Sequence, residues 1–436
     1  MSTSSKIIAG GFAERLRAAR RESGLSIRAL AEKVGITHQS VVGYEAGRGS
    51  GARLDIVSRL AEALHIAPSW LAYGSGVRFF DETSASMETP MLATSKRGTI
   101  DPPSHFFIAP GFDPILNIRE LARKLGAQGG YIEQSYLYSD PMSAACWLEL
   151  SAQEDYFVAA GQSTPLEQAA DYLVKHAKGQ YAGLDVIALG CGDGRREVRL
   201  VQNLLERDFF GRIRLYLLDI SQPLLGLAHK HATETFLGNR RVTPLAIQAN
   251  MHDLPRYTHL FHNPAGDRHL RVCLMFGYTF GNLENEVLFV RNSLLGFSPG
   301  DLLVLNVTLA SSLADKPAQI QKTDSLLSGQ IAGVWKRRQD EWLGGPIKRY
   351  AENVKSVEII PQLDTACCTI PGSYAIELRA HVKGYDRSER QFAMMYVKRY
   401  HPDSLLTTMA GLGWEPSAHW KYTQNRRMLA IYRRTS

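Results

Sequence analysis

The sequence predicts two folds in one 436-residue chain, a small all-α domain at the N-terminus and a larger α/β domain with a mostly parallel sheet behind it. Three observations predict them. Apolar residues recur at helical spacing between Phe12 and Glu45, interrupted by Gly24 and Gly35. A short apolar run, Leu184–Leu189, leads straight into Gly190-Cys191-Gly192-Asp193-Gly194. Further strand-like runs follow at Ile213–Leu218, Thr243–Ala249, Arg271–Phe276 and Leu302–Val307, separated by segments of helix length, which is the pattern of a parallel sheet with crossover helices.

Composition bounds the class of protein. Apolar residues make up 44% and charged residues 21%, with 37 Gly and 19 Pro, so disorder, collagen and coiled coil are excluded as descriptions of the whole chain. The longest apolar runs fall well short of the roughly 18 residues of a membrane span, and Met1–Lys6 is polar, which predicts a soluble, cytoplasmic protein without a secretory leader. Five scattered cysteines without a C-x-x-C pair fit a reducing compartment. Net charge is +7, and residues 1–74 carry ten Lys/Arg against six Asp/Glu, an excess that points to a polyanionic partner for the N-terminus.

In the N-terminal segment, Phe12, Leu16 and Ala19 form one apolar stripe of a first helix whose other faces carry Arg15, Arg17, Arg20 and Arg21. Ser26 is the expected N-cap of a second helix and Gly35 its stop. Thr37 is the expected cap of a third, in which Val41, Val42 and Tyr44 turn towards the preceding helix while His38, Gln39 and Ser40 point outward. Two short helices joined by a tight turn make a helix-turn-helix. The stretches LSIRALAEKVGITHQSVVGYEAGRG and LDIVSRLAEALHIAPSWLAYG closely resemble the lambda-repressor-like, Xre-type DNA-binding domain over residues 11–74. That resemblance implies that Thr37, His38, Gln39, Ser40 and Gly43 face base edges, with Gln39 suited to a bidentate bond on adenine, and that Arg28 and Arg48 clamp phosphates. It implies a double-stranded operator as partner and a homodimer reading two half-sites. Ile27 stands where the family usually carries Gln, so one common backbone contact is missing. A helical bundle used for protein docking is the competing reading. Residues 75–104, poor in periodic apolar residues and rich in Ser, Thr, Gly and Pro, form the expected linker, and Asp101-Pro102-Pro103-Ser104 within it is read as a loop turn.

In the larger region, a strand running into a glycine loop and then a helix from about Arg195 is an arrangement that cradles a nucleotide. The next strand ends in Asp219, where a carboxylate accepts both ribose hydroxyls of an adenosine. Arg195 stands where a dinucleotide fingerprint places glycine, which disfavours NAD. G-x-G-x-G with a downstream acid at a strand end is instead the S-adenosyl-L-methionine pattern, with Asn250 and Asp253 after the following strand suited to the adenine.

The stretches YLYSDPMSAACWLELSAQEDYF, ALGCGDGRREVRL, LYLLDISQPLL, FGYTFGNLENE, YVKRYHPDSLLTTMAGLGW and HWKYTQNRRMLAIY resemble the histidine N-alpha-methyltransferases of ergothioneine synthesis, over about residues 105–436. The resemblance implies a class I methyltransferase: a seven-stranded, mostly parallel, Rossmann-like sheet with an inserted substrate subdomain from about 105–165 and 320–400. It implies that Gly190, Gly192, Asp193, Gly194, Asp219, Ser221, Asn250 and Asp253 bind the cofactor. It further implies that Tyr138 and Tyr156 hold the substrate, Asn282 of G-N-L binds its amine and carboxylate end, and Glu377 contacts its side chain. The family's F-Y-D-x-x-G-S reads here Leu137-Tyr138-Ser139-Asp140-Pro141-Met142-Ser143, with the acid displaced and the glycine lost, so the acceptor need not be histidine. The two tyrosines also fit plain core packing. His252, His259, His262 and His269 include an H-x-x-H, but nothing completes a regular ligand spacing, so no metal is expected. Cys191 is read as structural.

Two functions remain open from sequence. One is an S-adenosylmethionine-dependent N-methyltransferase of a small amine or amino-acid-like metabolite, tied to DNA and autoregulatory. The other is a transcriptional regulator whose methyltransferase-like half senses that cofactor or a metabolite without turnover. DNA-base methylation is disfavoured, because Gly277-Tyr278-Thr279-Phe280-Gly281-Asn282 lacks the N/D-P-P-aromatic loop used on a flipped base.

Overall fold

The computed structural model describes residues 12–47, 54–66, 71, 105–109, 111–152, 164–207, 209, 211–261, 268–310, 320, 334–422 and 426–435. The chain divides into two units, Met1–Ile100 and Asp101–Ser436. Arg48, Tyr156, His262 and the predicted linker lie outside the described residues. Among the described residues, no helix is long and apolar enough to cross a membrane.

The first unit contains α1 (Phe12–Glu22), α2 (Ile27–Val34), α3 (His38–Glu45) and α4 (Leu54–Ala63). Both predicted caps form: Ser26 Oγ accepts from Ala29 N–H at 3.1 Å and Thr37 Oγ1 from Ser40 N–H at 3.1 Å. Gly35 ends α2 at φ 68°, a left-handed conformation that costs glycine little. Leu16, Leu30, Val41 and Leu60 form a core with no exposure, and Ile27 packs on it, which explains an apolar residue there. Buried Glu45 receives a two-pronged ion pair from Arg20, at 2.6 and 2.9 Å, locking α3 to α1. One expectation is corrected: Val42 faces outward and is 42% exposed, because Val41 and Glu45, one turn apart, already occupy the inward face.

The second unit begins with β1 (His105–Ile108), α5 (Pro114–Leu125), β2 (Gly129–Tyr131), α6 (Gln134–Ser139), α7 (Pro141–Ser151) and α8 (Thr164–Ala177). There follow β3 (Gly183–Leu189), α9 (Arg195–Glu206), β4 (Arg212–Asp219), α10 (Gln222–Thr235), β5 (Val242–Gln248), β6 (His269–Met275), α11 (Glu286–Ser293) and β7 (Leu302–Thr308). The chain closes with α12 (Val334–Tyr350), β8 (Val354–Asp364), β9 (Tyr374–Gly384), β10 (Glu389–Arg399), α13 (Pro402–Gly411), β11 (Trp414–Tyr422) and β12 (Arg427–Arg434).

The large sheet has the order β1-β5-β4-β3-β6-β7-β12-β11, parallel except for the terminal hairpin. From β5 to β7 this is the doubly wound order 3-2-1-4-5. It has one strand more than the seven expected, since His105–Ile108 pairs in parallel with Leu245–Gln248 along the free side of β5. Alternation along β3 sends Val186 and Ala188 to a core covered by α8, α9 and α10, and Ile187 and Leu189 to one covered by α11 and α13. With both faces covered, every residue of β3 is buried, including Asp185, which is held by Arg214 and His269. The second sheet, β2-β10-β9-β8, packs on α5, α6, α7 and α12 through Leu121, Leu137, Leu150 and Leu343.

A buried ion pair ties the two sheets together. Lys398 on β10 is fully enclosed, bonds Glu286 at the start of α11, and donates to the Glu284 carbonyl at 2.9 Å. Removing one partner strands a charge in the interior, so Lys398→Met is expected to cost about 3–5 kcal/mol. The double variant Lys398→Met/Glu286→Leu is expected to recover most of that in urea unfolding; equal losses in both would show that the ion pair is not what fastens β10.

Candidate functional site

The site is built at the carboxyl ends of β3, β4 and β5. Gly190, Gly192 and Gly194 all hold left-handed φ, at 62°, 57° and 70°. None of them leaves room for a Cβ, which at Gly190 would lie 2.9 Å from Thr279, at Gly192 2.8 Å from the Trp147 ring of α7 and at Gly194 2.7 Å from Ala228 of α10. The contact at Gly194 answers the sequence argument about Arg195: the close helix approach is made there, against Ala228. Arg195 turns outward, 3.3 Å from Asp193.

Asp219 closes the loop from the neighbouring strand. Its Oδ2 accepts from Gly192 N–H and its Oδ1 from Ser221 N–H, both at 2.8 Å. Burial pushes this carboxyl up to about 6, opposed by those backbone N–H groups. Glu197, in the first turn of α9, is raised by burial to about 8 and is therefore mostly neutral at pH 7. Cys191 is also buried and its thiol is held well above its ordinary value, consistent with packing.

Two polar oxygens here have no hydrogen-bond partner among the described residues: Ser221 Oγ, and Oε1 of Gln248, the residue paired with Asp219 across the sheet. A glycine cradle, a strand-end carboxylate and two orphaned buried acceptors fit an adenosyl group with its ribose hydroxyls. Gln248 escaped the sequence reading, although it lies at a strand end two residues before Asn250. Asn250 Oδ1 caps a short 3-10 turn by accepting from His252 N–H at 3.0 Å. Asp253, expected near the adenine, is exposed and 3.8 Å from Arg256.

From there contacts lead into the second sheet. His252 Nε2 lies 3.5 Å from Glu133, and the next residue, buried Gln134, lies 3.1 Å from the Asn282 side-chain oxygen. The Asn282 amide nitrogen donates to the carbonyls of Tyr396 and Tyr278, at 3.0 and 3.2 Å, in the orientation that satisfies its network. Tyr396 stands opposite Glu377 across β10 and β9, and stacks on Tyr131 with centroids 5.4 Å apart. Glu377 is buried and pairs with Arg379 at 2.6 Å. Tyr131 is buried against Tyr396, its hydroxyl among the unpartnered buried oxygens of the described residues, and spacing did not reveal it.

The return path is aromatic. Tyr138 packs edge-on against Trp147 at 6.2 Å and tilted on Trp342 at 5.7 Å, and Trp147 lies against Gly192. The displaced acid of the altered motif is also accounted for: Asp140 caps α7 at Ser143 N–H (2.8 Å) and is held by Arg349 and by the Tyr350 hydroxyl at 3.0 Å. It is a buried structural acid. The described histidines of the four part company: His269, on β6, bonds Asp185 of β3 at 2.9 Å, His252 faces Glu133, and His259 is exposed.

On the first unit, His38 and Gln39 are exposed at the start of α3, and Arg28 is exposed on α2. Thr37 uses its hydroxyl as the cap and shares it with Ser40 Oγ at 2.8 Å, so both are tied into the helix start.

The family described as Helix-turn-helix matches residues 16–71. Residues 16–71 are a helix-turn-helix domain. Among solved structures, the restriction-modification controller protein C.AhdI from Aeromonas hydrophila is 38% identical over 14% of this chain and 89% of its own, with a TM-score of 0.13. An S-adenosylmethionine-dependent methyltransferase from Clostridium acetobutylicum is 10% identical, covering 67% of this chain and all of its own, with a TM-score of 0.36. The magnesium protoporphyrin IX methyltransferase from Synechocystis, solved with bound S-adenosylhomocysteine, is 12% identical over 68% and 97%, with a TM-score of 0.35. Beyond the helix-turn-helix, the second unit has a mixed α/β fold built on a large, mostly parallel sheet.

The raised Asp219 carboxyl gives the site a pH signature. The unfolded carboxyl titrates near 4, so its protonated form favours the folded state below that value, and this contribution disappears as pH rises through about 6. Accepting two ribose hydroxyls requires the ionised form, so S-adenosylhomocysteine is expected to bind more weakly by up to tenfold per pH unit below about 6 and with constant affinity above it. Calorimetry from pH 5 to 8 checks this. A flat profile would remove Asp219 from the ribose role.

Proposed function

We propose that the second unit transfers a methyl group from S-adenosylmethionine to the amine of a small, amino-acid-like metabolite, and that the helix-turn-helix ties this activity to a DNA operator as a homodimer. The observation that carries the reading is the glycine cradle closed by Asp219, with the Trp147 ring lying against Gly192 and Tyr138 packed on Trp147.

The cradle of Gly190, Gly192 and Gly194 with Asp219, Ser221, Gln248 and Asn250 would hold the adenosyl group, with Asp193 and Asp253 at its rim. When bound, that group supplies an electrophilic methyl on a sulfonium. The chain's work is then positional. Asn282, Tyr131, Tyr138 and Glu377 orient an amine with its lone pair free, and Tyr156, outside the described residues, joins them by resemblance. Aromatic faces at Tyr138 and Trp147 favour positive charge nearby, and they keep water from the reacting centre. The amine would enter neutral, its proton already given to solvent, and its lone pair would take the methyl as the methyl's bond to sulfur breaks; the methylated ammonium would equilibrate with solvent after release.

A second reading has its own support. Asp140 is engaged by Arg349, and the Asn282 amide is engaged by backbone carbonyls, which leaves fewer free substrate-side groups and favours a domain that binds ligand without turnover. Incubation with isotope-labelled S-adenosylmethionine and a metabolite extract separates the two. The enzyme reading expects a new labelled amine, lost in Asn282→Ala with cofactor affinity kept within about threefold. Binding of cofactor with no labelled product would leave the sensor standing.

For the first unit, Gln39→Ala is expected to reduce preference for a selected operator by about tenfold while leaving binding to unrelated duplex nearly unchanged. Gel shifts at fixed salt measure both. An equal loss on both duplexes would make Gln39 a backbone contact.

A further inference from the structure

The recognition helix carries one residue that folding does not explain. On α3, Val41 and Glu45 are buried, and Tyr44 packs edge-on against Phe12 at 6.4 Å. The opposite face holds His38 and Gln39, both exposed, with Val42 at 42% exposure. At about 100° per residue, Val42 projects between His38 and Gln39, one turn further along. It is the one large hydrophobic with substantial exposure among the described residues of this unit. A β-branched residue is a weaker helix former than alanine, so exposure on an eight-residue helix brings no local benefit.

The neighbours say what Val42 meets. His38 and Gln39 offer hydrogen bonds suited to base edges, and exposed Arg28 offers a cation for the flanking phosphates. On the floor of a major groove, the apolar feature of an unmodified base pair is the 5-methyl group of thymine. We propose that Val42 reads a thymine in each operator half-site by contact with that methyl group, beside the base read by Gln39. This deepens the DNA-binding reading above and rests on it.

The test uses the full-length chain and a duplex selected by it from a random-sequence pool. Each thymine of the selected duplex is replaced singly by deoxyuridine, which removes the methyl and leaves every hydrogen-bonding edge intact. One position per half-site is expected to lose about four- to tenfold in affinity. Val42→Ala is expected to lose a similar factor on the thymine duplex and nothing further on the deoxyuridine duplex, so that the two changes are not additive. Alanine suits the helix, and helical content by circular dichroism confirms the fold. Indifference to deoxyuridine at every position would overturn the proposal, as would a deoxyuridine effect that persists in Val42→Ala. So would a loss in Val42→Ala that follows a changed oligomer mass in sedimentation, which would make Val42 a protein contact. If selection yields no preferred sequence, the DNA-reading premise itself falls.

Discussion

The large domain is organised around one shared carboxylate. Asp219 sits at the end of β4 and spends both oxygens on backbone N–H groups, one in the glycine loop after β3 and one at the start of the next helix. This fixes the positions of two strand ends whose loops would otherwise be independent. Holding that acid in the interior raises its proton affinity, which is the cost of burying a charge that the two N–H bonds only partly offset. The left-handed glycines, the close approach of Trp147 and the seat of α10 against Gly194 all follow from a loop held in that one shape.

Elsewhere the same unit uses buried charge as a fastener. Lys398 with Glu286 joins the second sheet to the first, Asp140 with Arg349 joins α7 to α12, and Asp185 takes both Arg214 and His269 at the foot of the large sheet. Each pair has further hydrogen bonds or a second partner, the condition under which a charge is tolerated away from water. Charged residues that look catalytic by type are thus largely committed to architecture. Ser221 and Gln248, beside Asp219, are among the buried residues left with an unpartnered side-chain oxygen.

The altered substrate motif shows how a sequence departure changes meaning with context. Read alone, the displaced acid in Tyr138-Ser139-Asp140 is a damaged ligand. In the fold, Asp140 caps a helix and anchors an arginine 209 positions away, while Trp147 brings a large aromatic face to the glycine loop.

Sequence by itself determined the helix caps at Ser26 and Thr37, the order of strands and helices, the glycine loop and the acid that follows it, because these depend on local backbone preference and on periodicities of 3.6 and 2. The family resemblance also singled out Asn282, in its G-N-L stretch, and Glu377. Sequence could not reveal that β1 extends the sheet, since strand pairing between residues 105 and 245 is a long-range choice among edges. Nor could it place Gln248, Tyr131 and Trp147, whose roles come from which neighbours leave them unbonded or in contact. Val42 belongs to the same class: both sides of α3 accept an apolar residue by pattern, and only packing against α1 and α2 decided which side faces water.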